Sequence, residues 1–324
     1  MPVGVVRLTE PMECLSSAVL NGGDSMVSAF FIMQVSKDYD ESDPVAHAAR
    51  VRDGLGLPED TIGMMTAAEV DYVFNMQEST FEGETVAAVA TAGLSNHVVA
   101  GEVLEDWPTR HEVSMKRAAR MMAGTINTVL VCGRPLTVEG KVNILLPMVE
   151  AKSAALADRG FQETGTTSDA VAVISPRGEP RVSYTGTGSD IGIAAARAVR
   201  SAIGRALEVR GERPVPLEPR RLLEKLGYDE RSLYAMSGTD LPEDRFRENL
   251  CRILDDPRTG TVLDMAVYIS NRADSLAADG DGYVGMILGK LCGDLGGQAP
   301  EPGTGFAEGV VMALAARAGR CGDD

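Results

Sequence analysis

The spacing of apolar residues divides the chain into three stretches. Residues 1 to about 120 mix short apolar runs with acidic and Met-rich segments, residues 120–210 are the most regular, and the rest carries helical periodicity. Val86–Ala92 (VAAVATA) reads as a buried strand closing at Gly93 and the turn LSNH. Thr125–Cys132 (TINTVLVC), rich in β-branched residues, reads as a second strand before the turn Gly133-Arg134-Pro135. Val142, Leu145, Leu146, Val149, Ser153 and Leu156 recur at helical spacing and predict a helix over Val142–Asp158. Strands at Ala170–Ile174 and Arg181–Tyr184, joined by a turn at Pro176–Pro180, predict an antiparallel hairpin. Ile191, Ala194, Ala195, Ala198, Val199, Ala202, Ile203 and Ala206 mark a long helix whose small-residue face can lie close against a sheet.

The run Gly211–Arg221 (GERPVPLEPRR) has three prolines and no hydrophobic period, so it reads as a linker. Beyond it, helices are expected at Arg220–Leu226, Glu243–Leu254, Thr261–Ala278, Tyr283–Leu295 and Phe306–Ala318, with Gly, Pro and Asp as punctuation. The expected class is α+β. A mixed or antiparallel sheet is layered with helices over residues 1–210, an αββα sandwich being one such arrangement, and residues 215–324 form an α-helical domain without an assigned role.

The middle stretch repeats itself. Thr164-Gly165-Thr166-Thr167-Ser168-Asp169 and Thr185-Gly186-Thr187-Gly188-Ser189-Asp190 share the pattern T-G-T-x-S-D and flank the two strands of the expected hairpin. In such a hairpin both copies lie at its open end, bringing together Asp169 and Asp190 with the hydroxyls of Thr166, Ser168, Thr187 and Ser189. Paired carboxylates in unlike environments can divide acid and base work. Two structural roles stand beside this one: Ser189 or Asp190 capping the helix that opens near Ile191, and Asp169 fixing a turn. The glycine-rich second copy resembles an anion cradle at a helix start, but it lacks the spacing and the lysine of a phosphate loop.

Charge and rare residues narrow the chemistry. Across 324 residues, 31 Lys+Arg against 47 Asp+Glu give a formal charge of −16, which disfavours nucleic acid and anionic membranes as partners. The absence of a long apolar run predicts no membrane span. The N-terminus shows no secretory signal. Five scattered cysteines without a C-x-x-C pair fit reduced thiols and a cytoplasmic setting. His47, His97 and His111 offer no i, i+4 metal-binding pair, so no metal site is assigned; a divalent ion held by carboxylates stays open, and no cofactor is evident.

Strand ends supply the other candidates. Ser95-Asn96-His97 could provide a nucleophile, an oxyanion donor and a base, and Thr125-Ile126-Asn127 offers a hydroxyl and an amide. Glu150 and Lys152 read as an exposed helix pair, and His111 as ordinary surface. Asp38, Asp40, Glu41 and Asp43 form an acidic loop before Pro44, either a solvated turn or a site for a cationic group.

Several segments, in order, resemble adenosylcobinamide amidohydrolases. They are LSSAVLNGG (Leu15–Gly23), DYDESDP (Asp38–Pro44), MMTAAEV (Met64–Val70), VAAVATAGLSN (Val86–Asn96), GTINTVLV (Gly124–Val131), RPLT (Arg134–Thr137), VEAKSAAL (Val149–Leu156) and TGTTSDAVAV (Thr164–Val173). The resemblance covers about residues 10–205 and implies corrinoid salvage. The amide joining the aminopropanol arm to the corrin ring would be hydrolysed, giving adenosylcobyric acid for coenzyme B12 synthesis. The small-molecule corrinoid is then substrate, a cationic cobalt centre that suits an acidic chain, and a homo-oligomer is compatible with the sequence. For such a reaction Asp169 or Asp190 is expected as base or orienter, Asn96 and Asn127 as oxyanion donors, and Ser95 or Thr125 as nucleophile if the route is covalent. Thr166, Ser168, Thr187, Ser189, His97, Asp40 and Asp43 are the expected substrate contacts. A fainter likeness to self-processing aminopeptidases points to a Ser/Thr-nucleophile peptide or acyl amide hydrolase, and a corrinoid-binding sensory module is the non-enzymatic alternative.

Overall fold

In the computed structural model, which describes residues 1–102, 125–214, 218–270, 282–295 and 304–320, the chain begins as a long hairpin. Strands β1 (Val3–Ser16) and β2 (Gly23–Gln34) pair antiparallel from Val3↔Met33 to Ser16↔Gly23, with a register shift between Arg7 and Met12. Helix α1 (Pro44–Gly54) leads to β3 (Ile62–Thr66), every residue of which is buried, as a strand covered on both faces requires. The short helix α2 (Val70–Val73) precedes a second hairpin, β4 (Asn75–Phe81) and β5 (Glu84–Thr91). Then come β6 (His97–Val98), β7 (Asn127–Cys132), α3 (Val138–Ala157), β8 (Gly165–Thr166), β9 (Ala170–Ser175) and α4 (Asp190–Arg210).

Seven strands form one mixed sheet in the order β3-β2-β1-β9-β7-β5-β4, parallel only between β2 and β3 and between β7 and β9. The sheet folds on itself at β1, because only Glu13–Ser16, beyond the register shift, pairs with β9. Phe30, Ile32, Ile62 and Met64 of one half therefore pack against Val89, Val129, Ala172 and Ile174 of the other. Ala29, Phe31 and Met33 face α1 on one outer side, while Ala88, Leu130 and Val173 face α3 and α4 on the other. The layers run helix, sheet, sheet, helix. The expected α+β class holds.

The hairpin expected from Ala170–Ile174 and Arg181–Tyr184 does not form. β9 already has β1 on one edge and β7 on the other, so residues 181–184 find no free edge to join. Instead Val182 bridges in parallel to Leu136 just before α3. The unit β7-α3-β9 is a crossover with parallel strands, which needs the intervening helix that the sequence marks. That helix starts earlier than its apolar period, at Val138, because Thr137 caps it by accepting a hydrogen bond from Gly140 N at 3.0 Å.

By internal contacts the chain divides into Met1–Pro214 and Val215–Asp324. The second unit is helical: α5 (Pro219–Lys225), α6 (Glu230–Ser237), α7 (Glu243–Leu254), α8 (Pro257–Ser270), α9 (Tyr283–Asp294) and α10 (Phe306–Ala318). Its core gathers Leu233, Phe246, Leu250, Leu263, Val310 and Leu314. The sequence misses α6, a short helix whose signal is the capping box of Asp229 and Ser232. His111 and the end of the helix expected at Thr261–Ala278 lie outside the described residues.

Candidate active site

One end of the folded sheet collects strand termini. β5 finishes at Thr91, and β7 and β9 begin at Asn127 and Ala170, in the registers Thr91↔Asn127 and Asn127↔Ala170. Helix α3 runs back from the far end and arrives here with Lys152 and Ser153. The first T-G-T-x-S-D copy closes over this end. Its Gly165–Thr166 pairs as β8 with β6, so His97 lies opposite Thr166.

Asp169 is the hub. Its Oδ1 accepts from Ile126 N at 3.0 Å and Thr166 Oγ1 at 2.5 Å, and its Oδ2 accepts from Thr166 N at 3.2 Å and Lys152 Nζ at 2.5 Å. Four donors from three segments occupy the carboxylate, so it fixes the start of β7 and the loop before β9 relative to α3. An acceptor so engaged suits positioning better than proton abstraction. Gly165 lets the ion pair form: a Cβ there would lie 2.4 Å from Asp169 Oδ2 and 2.5 Å from Lys152 Nζ. Beside the hub, the buried Thr125 Oγ1 lies 2.7 Å from Ser168 Oγ. Asn96 Nδ2 donates to Thr167 Oγ1 at 2.5 Å, and His97 Nδ1 lies 3.5 Å from Glu163 Oε1.

Asn127 is fully buried and donates its amide to Met65 O at 2.9 Å. Its Oδ1 has no hydrogen-bond partner among the described residues, which leaves an acceptor aimed at no donor of the chain. Ser95 is exposed in the turn after β5. Ser95, Asn96, His97, Thr125, Asn127, Thr166, Ser168 and Asp169 thus belong to one end of the sheet, although they span more than seventy positions of sequence.

The second copy is held against α3 by different residues of that helix. β9 carries the chain from Asp169 away to Ser175, and Thr185 is tied to the first turns of α3, donating from its hydroxyl to Gly140 O and from its N–H to Asn143 Oδ1. Thr187 Oγ1 donates to Glu150 Oε2 at 2.7 Å. Ser189 caps α4, accepting from Gly192 N at 3.1 Å, and Asp190 is exposed in its first turn. A Cβ on Gly192 would fall 2.0 Å from Gly186 O, so Gly192 permits close packing of the loop on the first turn of α4. The hairpin expected to bring Asp169 and Asp190 to one open end does not form. In the acidic loop Asp40 is exposed, and Asp43 caps α1 by accepting from Ala46 N at 2.9 Å.

Lys152 is the site residue that sequence reading missed. The sequence places it in an exposed pair with Glu150, yet its side chain is mostly buried against Asp169. The available signal was its spacing, seven after Leu145 and four before Leu156, a helix position where an apolar residue was due. Two thiols offer little nucleophilicity: burial pushes both Cys14 and Cys132 up to about 12, far from thiolate formation at neutral pH. Among the described residues no group of three or more His, Cys, Asp or Glu is placed to hold a metal ion.

A family model described as adenosylcobinamide amidohydrolase matches residues 1–214. Two curated proteins named adenosylcobinamide amidohydrolase are similar to the chain. That of Methanosarcina mazei is 27% identical over 205 residues, 60% of this chain and 90% of the relative. That of Halobacterium salinarum is 29% identical over 215 residues, 64% of this chain and 85% of the relative. Among solved structures, the PH0078 protein of Pyrococcus horikoshii aligns at TM-score 0.32 and 12% identity, over 64% of this chain and 84% of its own. A Burkholderia β-aminopeptidase aligns at TM-score 0.31 and 14% identity, over 71% and 88%. These last two likenesses are too slight to bear on function.

Proposed function

We infer the reaction from one premise: the chain belongs to the adenosylcobinamide amidohydrolase family, whose model spans residues 1–214. It is therefore a hydrolase, and its substrate at family level is adenosylcobinamide. Water is added across the amide that joins the aminopropanol arm to the corrin ring. The products are adenosylcobyric acid and free aminopropanol, and the acid returns to cobalamin synthesis as a salvaged corrinoid.

The observation that supports a role for particular residues is the Thr125–Ser168 hydroxyl contact of 2.7 Å beside the Asp169 hub. Thr125 Oγ1 attacks the amide carbon while its proton passes through the Ser168 hydroxyl toward the leaving nitrogen. The C–N bond breaks, aminopropanol departs as the neutral amine, and the Thr125 ester is hydrolysed by water to return the hydroxyl. Asp169 acts on this step through others. It holds Ile126 N beside Thr125, and it fixes the Lys152 ammonium near the carbonyl oxygen that gains charge. Asn96 is the side-chain candidate to donate to that oxygen. Asn127 suits a different task, because its amide is spent on Met65 O and its Oδ1 can only accept; the N–H or hydroxyl of the aminopropanol arm is a fitting donor.

The test is turnover of adenosylcobinamide, followed as adenosylcobyric acid and aminopropanol. The native sequence is expected to release both in equal amounts. Thr125→Ala is expected to lower kcat by roughly a thousandfold, as loss of an attacking hydroxyl does in covalent hydrolases. A Thr125→Ala protein working within threefold of the native rate overturns the nucleophile and leaves direct attack by water. No product from the native protein overturns the functional reading itself.

A further inference from the structure

Helix α3 carries an apolar face that no described residue of its own unit, Met1–Pro214, covers. Val138, Val142, Leu146 and Val149 are 52%, 54%, 58% and 46% exposed, at spacings of four, four and three that place them on one side of the helix. The buried residues of α3, among them Ile144, Pro147, Met148 and Ala151, occupy the opposite side. Tyr184, 71% exposed, borders this face, since its neighbour Thr185 is hydrogen-bonded to Asn143 of the helix. From Val138 to Val149 the strip is about 16 Å long. Exposed apolar strips of this kind mark surfaces that meet a ligand or another molecule.

We propose that this strip is the platform on which the corrin ring of the substrate lies while its amide arm reaches Thr125. The proposal rests on the amidohydrolase reading above and adds the place of the ring. Continuity carries it. The residue after Val149 on the same side of the helix is Ser153, whose hydroxyl donates to Thr164 O at the opening of the first T-G-T-x-S-D copy. Lys152, one position earlier, is bonded to Asp169. The apolar strip thus runs without a break into the hydroxyl and carboxylate cluster. A corrin is a broad, mostly apolar disc fringed with amides, and it matches a long apolar surface better than a deep pocket. Glu139 and Glu150 lie along one margin of the strip, so acceptors are at hand for the amide N–H groups and the cationic cobalt centre.

The experiment compares the native protein with Leu146→Gln and Val149→Gln in full-length form, measuring kcat, KM for adenosylcobinamide and mass in solution by light scattering. Each change is expected to raise KM about tenfold, some 1.4 kcal/mol of lost contact, with kcat at saturation within threefold and mass unchanged. Leu146→Met, which restores apolar surface, is expected to return KM to near the native value. Unchanged KM in both Gln variants overturns the platform. A fall in mass with KM unchanged also overturns it, and identifies the strip as a contact between copies of the chain. If the native protein shows no turnover, the amidohydrolase reading fails first, which is a distinct result from an active protein with an indifferent strip.

Discussion

At the scale of single residues, the two aspartates of the repeated pattern separate cleanly. Asp169 accepts from Ile126 N, Thr166 and Lys152, whereas Asp190 is exposed in the first turn of α4. Asp169→Asn is expected to lower kcat/KM for adenosylcobinamide by roughly a hundredfold, and Asp190→Asn to leave it within about threefold. Equal effects from the two changes contradict this division. Ser189→Ala, which removes the cap of α4, is expected to cost about 1 kcal/mol of stability in denaturant unfolding with little change in kcat. Gly165→Ala reports on the same hub from the backbone side, since its new Cβ meets both members of the Lys152–Asp169 pair. Much of this was legible in the sequence: the T-G-T-x-S-D copy ending in Asp169, the Ser95–His97 turn and Thr125–Asn127 all stand at strand ends. Lys152 was not, because a lysine four positions before Leu156 looks like any solvated helix residue until the loop carrying Asp169 folds onto it.

At the scale of elements, residues 181–184 form a single bridge from Val182 to Leu136 in place of a strand. Their alternation is compatible with a strand, but strandhood needs a partner edge, and both edges of β9 are taken by residues remote in sequence. Those residues are held instead by ions. Glu13 on β1 receives Lys141 Nζ of α3 at 2.7 Å and Arg181 Nη2 at 2.9 Å, and Lys141 is almost fully buried. Hydrogen bonds from Arg181 and then Lys141 hold the Glu13 carboxyl below its ordinary range. Its folded value is thus lower than its unfolded one, so the stabilisation is present above the unfolded value and is lost as pH falls through the folded one. Glu13→Gln is expected to lower the melting temperature at pH 7 and to narrow its gap from the native protein as pH drops below about 4.5, the ordinary carboxyl value. A gap that stays constant with pH contradicts a charge-based tie. No periodicity could reveal this cluster, because its three members are each ordinary polar residues on separate elements.

At the scale of the whole molecule, every candidate site residue and the full family match fall within Met1–Pro214, a unit with its own cores. A chain ending at Pro214 is expected to hydrolyse adenosylcobinamide with kcat within about threefold of the full chain, and a loss of activity in a folded truncation contradicts that independence. The second unit was legible as helical because Phe246, Leu250, Val310 and Leu314 repeat at helical spacing; its use was not, since the sequence marks no comparable run of hydroxyls and carboxylates there. The corner strand β1 has a consequence in time. Its last residues close the sheet by pairing Glu13 with Ser175 and Ser16 with Ala172, so the first strand of the unit to leave the ribosome waits for one of its last. Closure by contacts so distant along the chain is slow. Synthesis therefore runs nearly the length of the unit before the order that sets the hydroxyls beside Asp169 can exist, and a nascent chain stopped short of β9 holds an open strand edge in place of an enzyme.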